Sequence, residues 1–175
     1  MQTTFADYEA RIDAIRAAHP QMPRTTVVRV RLLHNVLRLL ADELEQFFAG
    51  HGVSASGWSA LMMLYSAPDM RANPSLLSAE LVQSRTHMTR VADELVGKNL
   101  VRREPNLADR RRVDLVLTRR GRAFIERLLP GAWTHYGALL DAFDASEGQT
   151  LERLMRKLHA HLVGSTAARR GEGSR

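Results

Sequence analysis

The sequence predicts a mainly α-helical protein with a small two-stranded β wing, arranged as a winged helix-turn-helix flanked by terminal helices that dimerise. Ser84–Leu95 reads SRTHMTRVADEL and places apolar residues on one helical face and polar, basic residues on the other. Leu100–Arg103 and Arg112–Leu117 have short strand patterns on either side of an arginine-rich loop. Thr118 is an N-cap for a following helix. A helix, a strand, a basic loop, a strand and a helix, in this order, describe a winged helix-turn-helix.

Two helices are predicted before this unit. Phe5–Ala18 is weakly amphipathic, and Pro20 and Pro23 interrupt the chain after it. Thr26–Ala49 has an apolar stripe at helical spacing and is followed by glycine, which is typical of a helix end. The stripe consists of Val27, Val30, Leu33, Leu37, Leu40, Leu44 and Phe47.

Three further helices follow N-cap residues, which accept hydrogen bonds from free amides of the first turn. Ser54 precedes a helix through about Ser66, Asn73 with Pro74 precedes Ser75–Val82, and Ser84 precedes Arg85–Lys98. The segment from Ala67 to Ala72 is predicted to be a loop, and Asn99 to adopt the left-handed conformation that ends a helix.

The second strand of the wing alternates in hydropathy. Val113, Leu115 and Leu117 are predicted to face the core, and Arg112 and Asp114 the solvent. After it, we expect a long helix from Arg119 that is interrupted near Pro130-Gly131, and a last helix over about Ser146–Val163. The predicted organisation is N-terminal dimerisation helices at 1–50, a DNA-binding domain at 51–122, C-terminal dimerisation helices at 123–164 and a disordered tail at 165–175.

The charge of the chain is concentrated in one segment. The formal net charge is +6, and Ser84–Arg122 alone carries ten Arg and one Lys against five acidic residues, so the rest of the chain sums to zero. A basic block on an otherwise neutral protein is expected for a polyanionic partner such as duplex DNA. The absence of cysteine excludes disulfides and thiol chemistry. With no apolar run long enough to span a bilayer and no signal peptide pattern, we expect a cytoplasmic protein without a membrane partner.

The candidate DNA-binding residues fall into two groups. The helix beginning at Ser84 offers free amides to a phosphate and side chains to base edges. The loop offers arginines to the narrow minor groove, with Arg111 favoured, and Asp109 is predicted to fix one of them by charge pairing. The predicted set is Ser84, Arg85, Thr86, His87, Thr89, Arg90, Asp109, Arg110, Arg111 and Arg112.

Other site types are less well supported. The seven histidines do not suggest a metal site, since His159 and His161 are two apart on a helix and point in different directions. No cofactor motif, nucleophile–base pair or paired-carboxylate motif is present, which argues against an enzyme acting on an anionic substrate. The terminal helices have apolar faces with no obvious cover in the same chain, which predicts a two-fold homodimer matching a palindromic site.

These motifs resemble the MarR family of transcriptional regulators. The resemblance runs from about Val27 to Val163 and rests on SRTHMTRVADEL, on LVRRE from Leu100, on ADRRR from Ala108 and on LTRRG from Leu117. Together with Leu129-Pro130, the motifs are most similar to multidrug-efflux repressors of the family.

The resemblance implies several properties. The protein would be an obligate dimer that binds a pseudo-palindromic operator. The residues matching Ser84–Arg90 would read the major groove, and Arg111 would enter the minor groove. It also implies a repressor of an efflux or stress-response operon, relieved by a small aromatic carboxylate or lipophilic drug. Such an inducer would bind near the helices that hold Arg31, His34, Trp58 and Met62.

One alternative remains open from the residues alone. A non-specific architectural protein would exploit only the charge of the basic segment. The polar, mixed face formed by Thr86, His87, Thr89 and Arg90 favours specific readout over a simple carpet of lysines.

Overall fold

The computed structural model describes residues 4–106, 109 and 111–172, with side chains up to residue 165. Its helices are α1 Phe5–Ala18, α2 Arg24–Gly50, α3 Ala55–Ser66, α4 Pro74–Glu80, α5 Arg85–Gly97, α6 Arg119–Leu140 and α7 Ala145–Glu172. Its strands are β1 Arg71–Ala72, β2 Val101–Pro105 and β3 Val113–Leu117, and a 3₁₀ turn at Pro68–Met70 precedes β1. None of the described helices is long and apolar enough to cross a membrane. The chain divides into two compact units, one through Leu128 and one from Leu129.

The first unit contains the winged helix-turn-helix that the sequence predicts. Ser54, Asn73 and Ser84 are N-caps as expected, because the side chain of each accepts a hydrogen bond from an amide of its own helix. Asn99 has a φ of 56° and ends α5 in the predicted left-handed conformation. The core lies between α3, α5 and the sheet, where Leu61, Leu64 and Leu95 are fully buried.

In the described part of the chain, the sheet has three strands, in the order β1-β3-β2, with antiparallel pairing throughout. The predicted loop before Asn73 therefore contains a short strand, in which Arg71 pairs with Val116 and Ala72 with Leu115. Two residues are too few for a hydropathy pattern to reveal, so sequence periodicity missed β1.

The burial of side chains on β3 differs from the alternating pattern that the sequence predicts. β3 lies between β1 and β2, and Leu115, Val116 and Leu117 are all buried, as is Asp114. The prediction that Asp114 faces solvent was wrong, since Arg71 from β1 and Asn106 from the loop cover its carboxylate. Val113, predicted to face the core, is 44% exposed beside the start of the wing loop.

Two predictions for the C-terminal half also need correction. α6 continues through Pro130 instead of breaking there. Proline removes one backbone hydrogen bond, but buried Ile125, Leu128 and Ala132 maintain one apolar stripe on both sides of it. α7 extends to Glu172, so the tail predicted from Ser165 is helical over residues 165–172, whose alanines and arginines favour a helix. Residues 173–175 of that predicted tail lie outside the described part of the chain.

Candidate nucleic-acid interface

α5 presents one face to the core and the other to solvent. Met88, Val91, Ala92 and Leu95 are each no more than 4% exposed. This burial turns Thr86, Arg90 and Asp93 outwards, as the helical periodicity of the sequence predicted, and Arg85 and Thr89 are exposed as well. The exposed side is therefore polar and basic, and it forms a continuous surface on one helix.

The first turn of α5 has the geometry of a helix N-terminus that can hold a phosphate. Ser84 Oγ accepts a hydrogen bond from the His87 amide at 3.1 Å, which leaves other amides of the turn available. These amides and the positive end of the helix dipole favour an anion at this position.

Two of the predicted DNA-binding side chains already have partners within the protein. His87 is half-buried, and its Nε2 lies 3.1 Å from Ser56 Oγ on α3. Thr89 Oγ1 donates to the Arg85 carbonyl at 3.0 Å. On this face, Arg85, Thr86 and Arg90 are the side chains most available to bases or phosphates.

A carboxylate of α5 also bonds to the N-cap residue of α3. Glu94 accepts hydrogen bonds from the Ser54 hydroxyl at 2.9 Å and from the Ser54 amide at 3.1 Å. Lys98, one turn later, pairs with the same carboxylate at 2.9 Å. Partial burial of Glu94 acts to raise the pKa of its carboxyl, but the hydrogen bonds from Lys98 and Ser54 outweigh burial and hold this pKa below its ordinary value.

The wing carries its exposed charge at the tip. Arg102 pairs with Glu104 and Arg103 with Asp93, so the stem of the wing is largely neutralised. Arg111 and Arg112 are exposed, and neither forms an ion pair with another described residue. The third predicted arginine of the tip, Arg110, lies outside the described residues.

Asp109 supports the wing through a backbone contact. Its Oδ1 accepts a hydrogen bond from the Arg111 backbone amide at 3.0 Å. It forms no ion pair with Arg111 or Arg112, and Arg110 lies outside the described residues, so the charge pairing of Asp109 with a wing arginine stays a prediction. A short aspartate side chain commonly caps the amide two residues later in a turn.

Sequence reasoning missed the residues that support the loop from below. Asn106 donates to both carboxylate oxygens of Asp114 at 3.0 and 2.9 Å and accepts from the Asp109 amide at 2.9 Å. Arg71 Nη1 lies 3.5 Å from Asp114 Oδ2. An Asn after Pro105 is a turn signal that could have drawn attention to Asn106. No local pattern joins Asp114 to an arginine 43 residues away.

The four predicted ligand-contacting residues do not have one common environment. Arg31 and His34 are exposed on α2, and Met62 on α3 is half-buried. Trp58 is 4% exposed, and its ring stacks on Phe48 with centroids 5.0 Å apart. The position of Trp58 is that of a core residue. Two open concavities of the first unit, of about 510 and 460 Å³, are lined by other residues.

Large apolar side chains remain exposed on the terminal helices of both units. In the first unit, Val30 and Leu37 of α2 are 59% and 58% exposed. In the second unit, Trp133 and Val163 are 63% and 55% exposed. Apolar surface of this kind usually marks an interaction site. The described residues contain no group of three or more His, Asp or Glu side chains arranged to hold a metal ion.

Known proteins similar to this chain are transcriptional regulators. The MarR family model matches residues 53–113. The transcriptional repressor MprA of Escherichia coli strain K12 is 29% identical over 162 residues, which cover 93% of this chain and 92% of that protein. A solved mutant of E. coli MarR, complexed with operator DNA, is 29% identical with a TM-score of 0.65 over 73% of this chain and 91% of that chain. AbsC of Streptomyces coelicolor shares the fold, with a TM-score of 0.72 at 24% identity over 82% of this chain and 97% of its own.

Proposed function

We propose that this chain is a repressor of the MarR family that binds DNA sequence-specifically and acts as a homodimer. One observation carries the proposal most directly. Arg85, Arg90, Arg111 and Arg112 are exposed and unpaired among the described residues, whereas the arginines of the wing stem are neutralised by carboxylates. In a winged helix, the recognition helix contacts the major groove and the wing tip contacts the minor groove, so cations without a partner are expected at these two positions.

The two sets of cations have different tasks. Arg90 and Thr86 lie on the exposed face of a helix that fits the major groove, where an arginine pairs with guanine O6 and N7 through two hydrogen bonds. Arg111 enters the adjacent minor groove, where the negative potential is strongest. The N-terminal amides of α5 position the helix on a phosphate.

A homodimer completes the DNA-binding unit. Large apolar side chains are exposed on α1, α2, α6 and α7, and a second copy of the chain covers them. Two-fold symmetry then places two copies of α5 at half-sites about 34 Å apart, so the operator is a pseudo-palindrome.

The repressor controls an efflux or stress-response operon and releases DNA on binding a small aromatic carboxylate or lipophilic drug. Support comes from the family and from similarity to MprA, a transcriptional repressor. Arg31, His34, Trp58 and Met62 remain the proposed ligand-contacting positions, and the burial of Trp58 means that a ligand would reach it only after the core opens. We assign the protein no catalytic role, because its relatives named above are transcriptional regulators.

Selection of genomic DNA fragments by the purified protein at physiological salt tests this function. A specific repressor enriches a pseudo-palindrome, and affinity for it falls steeply with salt as counterions are released. Fragments without a shared motif would instead indicate a non-specific architectural protein.

Two variants test the assignment of the grooves. Arg90→Ala should weaken binding and change base preference at one position of each half-site, because it removes a base contact. Arg111→Ala should weaken binding to many sequences and lower the salt dependence by about one counterion per protomer. Arg156→Ala is the matched control, since it removes the same charge from an exposed pair with Glu152 on α7. Equal losses on every sequence for both test variants would contradict the division of tasks.

A further inference from the structure

Asp114 is a buried carboxylate beneath the wing, and none of the DNA contacts proposed above uses it. Its side chain is 3% exposed in the middle strand of the sheet. A buried carboxylate is costly unless charged or hydrogen-bonding partners surround it. Asn106 and Arg71 supply those partners from the wing loop and from β1.

A chain of hydrogen bonds leads from this carboxylate to the wing tip. Asn106 Nδ2 donates to both oxygens of Asp114, and Asn106 Oδ1 accepts from the Asp109 amide at 2.9 Å. Asp109 Oδ1 in turn accepts from the Arg111 amide at 3.0 Å. Backbone bonds from Asn106 N to Arg112 O and from Arg112 N to Asp109 O, both 2.9 Å, close the loop. The chain thus ends on the backbone of Arg111 and of its neighbour Arg112.

Arg71 holds the other side of the same carboxylate. Its Nη1 lies 3.5 Å from Asp114 Oδ2 and 3.4 Å from the Pro105 carbonyl, and its Nη2 donates to Glu104 at 2.5 Å. The guanidinium therefore joins β1 to β3 and to the end of β2 at the point where the wing loop begins. The wing loop therefore begins, at Asn106, next to a point where contacts of Arg71 hold the three strands together.

We propose that Asn106 and Asp114 are positioning residues that fix the backbone of the wing tip so that Arg111 is oriented for DNA before binding. This inference rests on the proposed function, because it assigns Arg111 a DNA contact. A free loop must lose backbone entropy when it binds, and internal hydrogen bonds reduce that loss in advance. Removing the Asn106 carboxamide should weaken DNA binding about tenfold, as expected for the loss of one or two hydrogen bonds.

A double-mutant cycle separates positioning from a direct contact or a general loss of structure. Asn106→Ala, Arg111→Ala and the double variant are titrated onto the duplex that the wild type selects and onto a scrambled duplex of the same length. Asn106→Ala should lower the affinity for the selected duplex about tenfold in the wild-type background. It should change the affinity very little once Arg111 is replaced, because the effect of Asn106 passes through that arginine. Equal losses in the two backgrounds, or no loss in either, would overturn the proposal.

Asp109 provides a second test that does not depend on the fold tolerating Asn106→Ala. Asp109→Asn keeps an oxygen that accepts from the Arg111 amide and should retain affinity, whereas Asp109→Ala removes it and should behave like Asn106→Ala. Hydrogen exchange of the Arg111 amide should accelerate in the alanine variants while core amides remain protected. Equal loss of affinity in both Asp109 variants, or unchanged exchange, would refute the hydrogen-bond chain.

The same data keep this inference separate from the proposed function. A wild type that binds both duplexes equally would refute sequence-specific regulation, while the cycle on the scrambled duplex still shows whether Asn106 acts through Arg111. A selective wild type with an additive cycle would refute only the positioning role.

Discussion

Replacing Glu94 tests how much one carboxylate stabilises the contact between α5 and the N-terminus of α3. Glu94→Ala removes the acceptor for both the amide and the hydroxyl of Ser54 and breaks the pair with Lys98. Hydrogen bonds to a charged group contribute about 1.5–3 kcal/mol each, and an exposed ion pair one turn apart about 0.3–0.5 kcal/mol. The side chain of Glu94 is 25% exposed and its bonds are not additive, so we expect a loss of about 2–4 kcal/mol in the free energy of unfolding.

Urea unfolding at a fixed protein concentration measures this loss, since association would otherwise change the apparent stability. Glu94→Gln keeps one oxygen acceptor and should lose about half as much. Glu152→Ala is the matched control, because Glu152 is an exposed glutamate paired with Arg156 one turn away, and it should cost no more than about 0.5 kcal/mol.

The pH dependence of the difference gives an independent check. The pKa of Glu94 is lower in the folded protein than its ordinary value, because hydrogen bonds from Lys98 and Ser54 outweigh the effect of burial. The part of the stabilisation that depends on charge is therefore complete above the unfolded pKa of about 4.3 and is lost as the pH falls through the lower folded pKa. In acid, the difference in stability between the wild type and Glu94→Ala should narrow to about the difference between Glu94→Gln and Glu94→Ala, because the protonated carboxyl keeps one oxygen acceptor. A difference below about 0.5 kcal/mol at pH 7, or one that does not narrow in acid, would refute the reasoning.

Three further predictions concern packing and assembly. Gly121→Ala should lower the free energy of unfolding by about 3 kcal/mol or more, because a Cβ there would lie 2.1 Å from the Leu100 carbonyl oxygen. Gly137→Ala is the control and should be neutral or stabilising, because nothing lies within 4 Å of its Cβ position. Similar melting temperatures for the two variants would contradict this prediction. Leu37→Glu should shift the protein from dimer to monomer in analytical ultracentrifugation, and an unchanged dimer mass would place the interface elsewhere. Trp58→Ala should lose about 3–5 kcal/mol of stability, as expected for a core residue; a loss confined to inducer response would restore the ligand-contact interpretation.

Most of the helical framework could be predicted from the sequence because its signals are local. The N-caps Ser54, Asn73 and Ser84 each bond to an amide two or three residues later. Which side chains of α5 face the core and which face solvent follows from the helical period of 3.6 residues. The basic outer surface of α5 was therefore visible before any tertiary contact was known.

Errors occurred where the packing around a residue overrode a local rule. Alternation predicted that Asp114 faces water, and it is buried because Arg71 arrives on a strand of two residues. A rule for proline predicted a break at Pro130, and an apolar stripe that continues past it favours a single helix.

The sequence by itself determined the class of fold, the basic surface of α5 and the location of positive charge, because helical period, capping and charge are properties of neighbouring residues. Only the tertiary structure decided which cations stay unpaired and how the wing tip is held. Those outcomes depend on contacts such as Arg71 with Asp114 and Ser54 with Glu94, which join residues 43 and 40 positions apart. A linear pattern does not encode such a pairing, since it arises only when separate elements pack against one another.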